Sequence, residues 1–238
     1  MELSAFIRAR QCYAPFGDGL LVHRLDFSPV EVLGPLFTQA QVPLPAAVAG
    51  AVPKRQAEYL AGRLAARDAL ALWGCQLPVG MGGAREPLWP QGFVGSISHQ
   101  GTSAVAAASP TSRSSGIGID LEGWLEPDIA DQIWPGILSG QERQRLVSAP
   151  LTWSELVTLI FSAKESLFKA LYPSVGRYFD FLDVALLELD LRHQRFLVQL
   201  QVALSPDLPA GMVFEGRWHG ESAQVLTGII RNIEYKLQ

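Results

Sequence analysis

Cysteine is scarce in this chain of 238 residues: Cys12 and Cys75 are the only two. They lie far apart with no metal-ligand spacing, which excludes a disulfide scaffold and a cysteine-based metal site. Free thiols in a reducing compartment are the expectation. Excess charge is also missing. Lys and Arg total 19 against 23 Asp and Glu, a formal net charge of −4, which excludes a general nucleic-acid binder and leaves any phosphate ligand to local basic clusters. No apolar run approaches a membrane span. The start, MELSAFIRAR, lacks the basic and apolar blocks of a secretory signal. A soluble, cytoplasmic protein is expected, and with 48% hydrophobic residues it has ample material for a core.

Residues 1–52 read as irregular, with a short strand at Gly19–Phe27 and a proline-rich loop at Val42–Pro53. Pro53 then opens KRQAEYLAGRLAARDALALWG, a helix that closes at Gly74. Ala57, Leu60, Ala61 and Leu64 form its core stripe. Arg55, Tyr59, Arg63 and Arg67 recur every four residues on another face. Such a stripe is commonly a solvated basic face, and the alternative is an anion site, since arginine presents a forked donor to phosphate oxygens. The loop GGAREPLWPQG carries Arg85 and a packing anchor, Trp89. FVGSISHQGTSAVAAAS reads as strand, turn, strand, with Ser98 ending the first strand and His99 in the turn.

PTSRSSG, Pro110–Gly116, is the expected boundary, giving domains 1–115 and 116–238. GIGIDLE, Gly116–Glu122, follows as a strand: Ile117, Ile119 and Leu121 face a core, and Gly116, Gly118, Asp120 and Glu122 share the other face. Ser139 and Glu142 fit a capping box. A long helix over SELVTLIFSAKESLFKAL ends near Tyr172–Pro173. Its core side is Leu156, Leu159, Ile160, Ala163, Leu167, Ala170 and Leu171. Glu165 and Lys169 share another face, flanked by Lys164. Phe181–Leu191, Phe196–Leu204, Met212–His219 and Val225–Ile230 read as strands in hairpin order. Each half thus offers a long basic-faced helix and several strands, an α+β arrangement that hints at duplication.

An Asp-x-Glu on a strand is common, and a Glu with Lys four residues on is usually a surface pair worth ~0.3–0.5 kcal/mol. Their combination says more. Two carboxylates on one face repel unless a cation lies between them, and a hard divalent ion with oxygen ligands, such as Mg²⁺, answers that need. The helix supplies the third carboxylate.

KRQAEYLAGRLAAR, REPLWP, GSISH, GIGIDLE and FSAKESLFKAL occur in the order of a known family. From Lys54 to Leu171 the sequence resembles the 4′-phosphopantetheinyl transferases of the larger, surfactin- and enterobactin-synthase type, and most closely their enterobactin-associated branch. The resemblance implies a pseudo-dimer of two similar α+β halves with coenzyme A and Mg²⁺ in the cleft between them. It implies transfer of phosphopantetheine from coenzyme A to a serine of an apo acyl, peptidyl or aryl carrier protein, leaving adenosine 3′,5′-bisphosphate. Carried over by position, Asp120, Glu122 and Glu165 would be the Mg²⁺ ligands. Ser98, His99 and Lys169 would contact the phosphates, Lys164 completes the family's Lys-Glu pair beside coenzyme A, and Arg55, Arg63 and Arg85 would meet the nucleotide phosphates. Lys169 would neutralise the leaving phosphate, and Glu165, or a water on the metal, would take the serine proton. Phe161 stands where many relatives have Trp. Residues near Gln141–Leu146 and Tyr172–Phe179 are the expected carrier-docking patches. A chain that supplies both halves of the cleft is expected to act as a monomer.

Two rivals remain at this point. Another Mg²⁺-dependent phosphate enzyme would use the same acids but leaves GSISH and the arginine helix unexplained. A non-catalytic module binding coenzyme A or carrier protein would have no need of Asp120, Glu122, Glu165 and Lys169 together.

Overall fold

Two long helices, each packed on its own sheet, organise the chain. The computed structural model describes residues 2–17, 19–29, 31, 33–146, 149–221 and 223–233. The chain divides into two units, Met1–Ile117 with Arg231–Gln238, and Gly118–Ile230. Together they make a mixed α+β fold, as expected.

The first unit begins with a turn of helix, α1 (Leu3–Phe6), then β1 (Ile7–Tyr13) and β2 (Val22–Phe27), paired antiparallel. Short helices α2 (Gly34–Ala40) and α3 (Ala46–Ala49) lead to α4 (Pro53–Ala71). A two-stranded ribbon, β3 (Gly80–Met81) and β4 (Pro87–Leu88), precedes the hairpin β5 (Phe93–Gln100) and β6 (Ser103–Pro110). The sheet order is β1-β2-β6-β5, antiparallel throughout. The described residues before α4 therefore hold far more regular structure than the sequence suggests. β1 hides from pattern reading because it is an edge strand whose Arg8, Arg10, Gln11 and Cys12 are all exposed.

Small side chains explain how α4 meets this sheet. Ala57, Ala61, Ala65, Ala66 and Ala69 of the helix and Ala104, Ala106 and Ala108 of β6 all lie in one core. Alanine on alanine lets helix and strand approach closely, which buries the helix on almost every side from Ala57 to Ala66. Its first turn and its last residue, Ala71, stay in water. The basic stripe is correspondingly not a solvated face: Tyr59 and Arg63 are both buried. Gly95 makes room for the anchoring tryptophan, since a Cβ there would lie 2.5 Å from the Trp89 ring.

β7 (Ser114–Gly123) carries the chain from the first unit into the second and is followed by α5 (Pro127–Ile133), a 3-10 turn at Trp134–Gly136, α6 (Gly140–Leu146) and α7 (Trp153–Val175). Strands β8 (Val184–Asp190), β9 (Arg195–Leu200), β10 (Val213–Gly220) and β11 (Gln224–Asn232) form an antiparallel meander, with β7 beside β11. The expected hairpin order holds, although Phe181–Asp183 winds into a 3-10 turn before β8 begins. α7 starts on a capping box, Thr152 with Glu155, and runs through Pro173 to a left-handed Gly176. Proline so near the end removes only one backbone donor, so the helix does not stop where the residue type suggested. Every apolar residue assigned to the core side of α7 is buried.

Candidate functional site

Gly118 sets the geometry of the second unit's charged cluster. A Cβ there would lie 1.8 Å from the backbone oxygen of Ser166 and 2.7 Å from the nitrogen of Ala170. Only glycine lets α7 rest on β7 at this point. The face cleared at Gly118 therefore does not open to a ligand; it takes the helix backbone. That contact brings Lys169 over the strand, where its Nζ donates to Asp120 Oδ1 at 2.6 Å and to the Ile119 carbonyl at 3.3 Å. Asp120 is buried and Lys169 is one-quarter exposed.

Glu122 and Glu165 complete the cluster electrostatically. Burial pushes the Glu122 carboxyl up to about 7; Asp120 adds to the rise, Lys169 opposes it and Glu165 adds further. Glu165 is raised as well, by burial first, with Lys169 opposing and Asp120 adding. Three carboxyls thus share one ammonium, and one of them is half-protonated near neutrality. Among the described residues, no three His, Cys, Asp or Glu side chains close into a group that could hold a metal ion. The donor chemistry nevertheless suits a hard divalent cation, because added positive charge relieves the crowding that lifts Glu122 and Glu165.

Lys164, next to Glu165, has a different task. Its ammonium lies 2.7 Å from the Ile137 carbonyl, 3.1 Å from that of Phe181 and 2.9 Å from Glu142 Oε1, with 1% of the side chain exposed. Burial lowers its pKa and Glu142 opposes the shift. Glu142 forms the expected capping box with Ser139, giving 2.8 Å and 3.2 Å bonds, and also accepts from the Leu186 N–H at 2.8 Å. Each of the three N–H donors of Lys164 has an acceptor inside the protein, so its side chain ties α7 to α6 and to the segment before β8.

Beside Glu165 lies a small cavity of about 40 Å³, lined by Phe168, Tyr178, Phe179, Asp180 and Phe181. The Phe168 ring packs on Tyr172, Tyr178 and Phe179 at 5.4, 5.8 and 5.1 Å. Tyr178 is 66% exposed. On α6, Arg143 stacks on Trp134 and Trp153, at 4.4 and 5.2 Å.

In the first unit, Arg63 is 9% exposed, stacked 4.4 Å from the Tyr59 centroid, and donates to the Gly80 carbonyl at 2.9 Å. Its Nε has no hydrogen-bond partner, and no carboxylate pairs with it among the described residues. Burial lowers its pKa. A buried cation without a counter-ion is costly, so this position favours an incoming anion. Arg67 instead donates to the Ala40 carbonyl. Arg85 sits at φ +68° in the exposed turn Gly82–Glu86.

Arg55 donates from Nη1 to His99 Nε2 at 2.7 Å and to Glu58 Oε2 at 3.4 Å. His99 lies within β5 rather than in the turn, which falls at Gly101 and Thr102. Ser98 and His99 are neighbours on a regular strand and leave on opposite faces; His99 faces α4, and Ser98 is buried. Glu58, which sequence reasoning passed over, is buried among these cations. A signal existed, since Lys54 and Arg55 precede it at helical spacing.

Two family models match this chain. That of the 4′-phosphopantetheinyl transferase N-terminal domain covers residues 44–109, and that of the 4′-phosphopantetheinyl transferase superfamily covers residues 116–208. The 4′-phosphopantetheinyl transferase Svp of Streptomyces mobaraensis is 37% identical over 76% of this chain and 74% of its own. The 4′-phosphopantetheinyl transferase PptT of Mycobacterium tuberculosis is 31% identical over 77% of this chain and 82% of its own. Enterobactin synthase component D of Salmonella typhimurium is 46% identical over 49% of this chain and 48% of its own. The match thus spans about half the length of the enterobactin synthase relatives. With both family models and two relatives matched along most of their length, the chain belongs to the 4′-phosphopantetheinyl transferase superfamily.

Proposed function

We propose that this chain transfers the 4′-phosphopantetheine group of coenzyme A to a serine of an apo carrier protein in a Mg²⁺-dependent reaction that releases adenosine 3′,5′-bisphosphate. The observation that carries the reading is the Lys169–Asp120 bond beside Glu122 and Glu165, two carboxyls whose proton affinity is raised. Family membership supports it, and the enterobactin relatives favour siderophore or other non-ribosomal peptide synthesis.

Asp120, Glu122 and Glu165 would hold the Mg²⁺, which when bound supplies Lewis-acid charge to the pyrophosphate. In the reaction the serine Oγ forms a bond to the β-phosphorus as the bond to the adenosine bisphosphate oxygen breaks. Lys169 neutralises charge gathering on the departing phosphate. Glu165 takes the serine proton. Arg63, lacking a counter-ion, receives one phosphate of the nucleotide; Arg55, His99, Ser98 and Arg85 supply further contacts. Lys164 is left out of this set because its donors are engaged by Glu142 and two carbonyls.

The nucleotide contacts are assigned to the N-terminal domain and the metal-binding acids to the C-terminal one. The carrier's docking surface is assigned to Gln141–Leu146 and Tyr172–Phe179, where Tyr178 is exposed. Free thiols at Cys12 and Cys75 suit the cytoplasm. Calorimetric titration of Mg²⁺ and coenzyme A into the wild type, Asp120→Ala and Lys169→Ala tests the site. Mg²⁺ binding should vanish in Asp120→Ala, and Lys169→Ala should bind coenzyme A more weakly while still taking Mg²⁺. An Asp120→Ala protein that binds Mg²⁺ as the wild type does overturns the metal assignment.

A further inference from the structure

We infer that Glu58 is a positioning residue that holds Arg55 and His99 in the arrangement that receives a phosphate group. The inference rests on the reading above, in which those two residues contact coenzyme A.

Glu58 is 8% exposed, and a carboxylate so placed needs positive partners to remain charged. Two cations and the His99 imidazole converge on it. Arg55 Nη1 lies 3.4 Å from its Oε2, His99 Nδ1 lies 3.7 Å from the same oxygen, and Lys54 Nζ lies 4.0 Å from Oε1. Lys54 is the most exposed of these cations and contributes least to the arrangement, because a solvated pair is weak.

The Arg55–His99 contact fixes the state of the imidazole. A guanidinium only donates, so the 2.7 Å approach of Arg55 Nη1 makes His99 Nε2 the acceptor. The ring proton then sits on Nδ1, on the side of Glu58. Glu58 thereby stabilises the Nδ1–H tautomer and anchors the guanidinium that faces Nε2. Its carboxylate also supplies the counter-charge for an imidazolium, should a phosphate displace Arg55 from Nε2 and require a donor there. An arginine and a histidine from different elements, α4 and β5, are aligned by one carboxylate from α4. Without it, both long side chains lose their fixed orientation and must be ordered by the ligand, at a cost in affinity.

The test compares the wild type with Glu58→Gln, Glu58→Ala, Arg55→Ala and His99→Ala. Coenzyme A binding is measured by calorimetry, KM and kcat by transfer, and the His99 ring by ¹⁵N NMR of the ligand-free protein. Thermal melts establish that each variant is folded. Glu58→Gln should weaken coenzyme A binding and raise its KM by roughly tenfold, the effect of losing a charge-assisted partner. Its kcat should change little, and the His99 nitrogen shifts should move away from the Nδ1–H pattern. Because the substitution is nearly isosteric, it separates positioning from folding even if Glu58→Ala fails to fold. If Arg55→Ala and His99→Ala weaken binding while Glu58→Gln leaves affinity and the His99 shifts unchanged, the role given to Glu58 is wrong. If Arg55→Ala and His99→Ala bind coenzyme A as the wild type does, the phosphate-contact reading fails instead, and this inference fails with it.

Discussion

Lys164 and Glu142 form an ion pair of 2.9 Å in which each side chain is 1% exposed. Removing one partner leaves the other charge buried, so Glu142→Leu should destabilise the protein by about 3–5 kcal/mol. Lys164→Met should cost a similar amount. The double variant should lose far less than the sum, since no charge is then stranded. Denaturant melts of the four proteins provide the cycle, and additive losses would show that the pair is not coupled.

Gly118→Ala places a methyl group inside the backbone of α7 at Ser166. Backbone cannot rotate away as a side chain does, so the helix must shift from the strand. A loss of about 3 kcal/mol or more is expected. Lys169 would move with the helix, so coenzyme A binding should fall in whatever fraction remains folded. Circular dichroism melts together with binding of coenzyme A check both effects.

Glu122 gives the metal-free protein a specific pH dependence. Its carboxyl titrates near 7 when folded, above the value of 4.5 for an unperturbed group. Between those values the folded state holds the extra proton, so this contribution to stability is complete below 4.5 and is lost as pH rises through 7. In chelator, the wild type should lose stability relative to Glu122→Gln between pH 5 and pH 8. A difference between the two proteins that stays constant over that range contradicts the placement of Glu122 in a crowded carboxyl cluster.

The proposed anion contact at Arg63 would trade stability for function. Pyrophosphate or adenosine 3′,5′-bisphosphate should raise the melting temperature of the wild type by supplying the missing counter-ion. Arg63→Gln should show a clearly smaller rise, while its ligand-free melting temperature stays equal to or above that of the wild type. An equal rise in both proteins would place the anion elsewhere.

Much of this arrangement was legible in the sequence because it rests on periodicity. The α7 core stripe, the β7 strand and the C-terminal meander all follow from apolar spacing, and Pro53 marks the start of α4. What escaped depends on partners distant in the chain. Helical spacing places Lys164 beside Glu165, but only the fold shows that Glu142 and two carbonyls claim its ammonium. The two glycines of GIGIDLE indicate close approach, yet not that a helix backbone, rather than a ligand, is what approaches. His99 reads as a turn residue because Gly101 follows closely, whereas the strand continues to Gln100. Glu58 stands out in no motif of the sequence, and becomes conspicuous only once His99 is seen to face it.

The most direct test is the intact mass of apo carrier proteins after incubation with this protein, coenzyme A and Mg²⁺, with and without chelator. The account predicts that a carrier gains the mass of one phosphopantetheine, and that chelator or Lys169→Ala strongly suppresses the gain. A protein that binds coenzyme A and Mg²⁺ yet leaves every acyl, peptidyl and aryl carrier at its apo mass would contradict it.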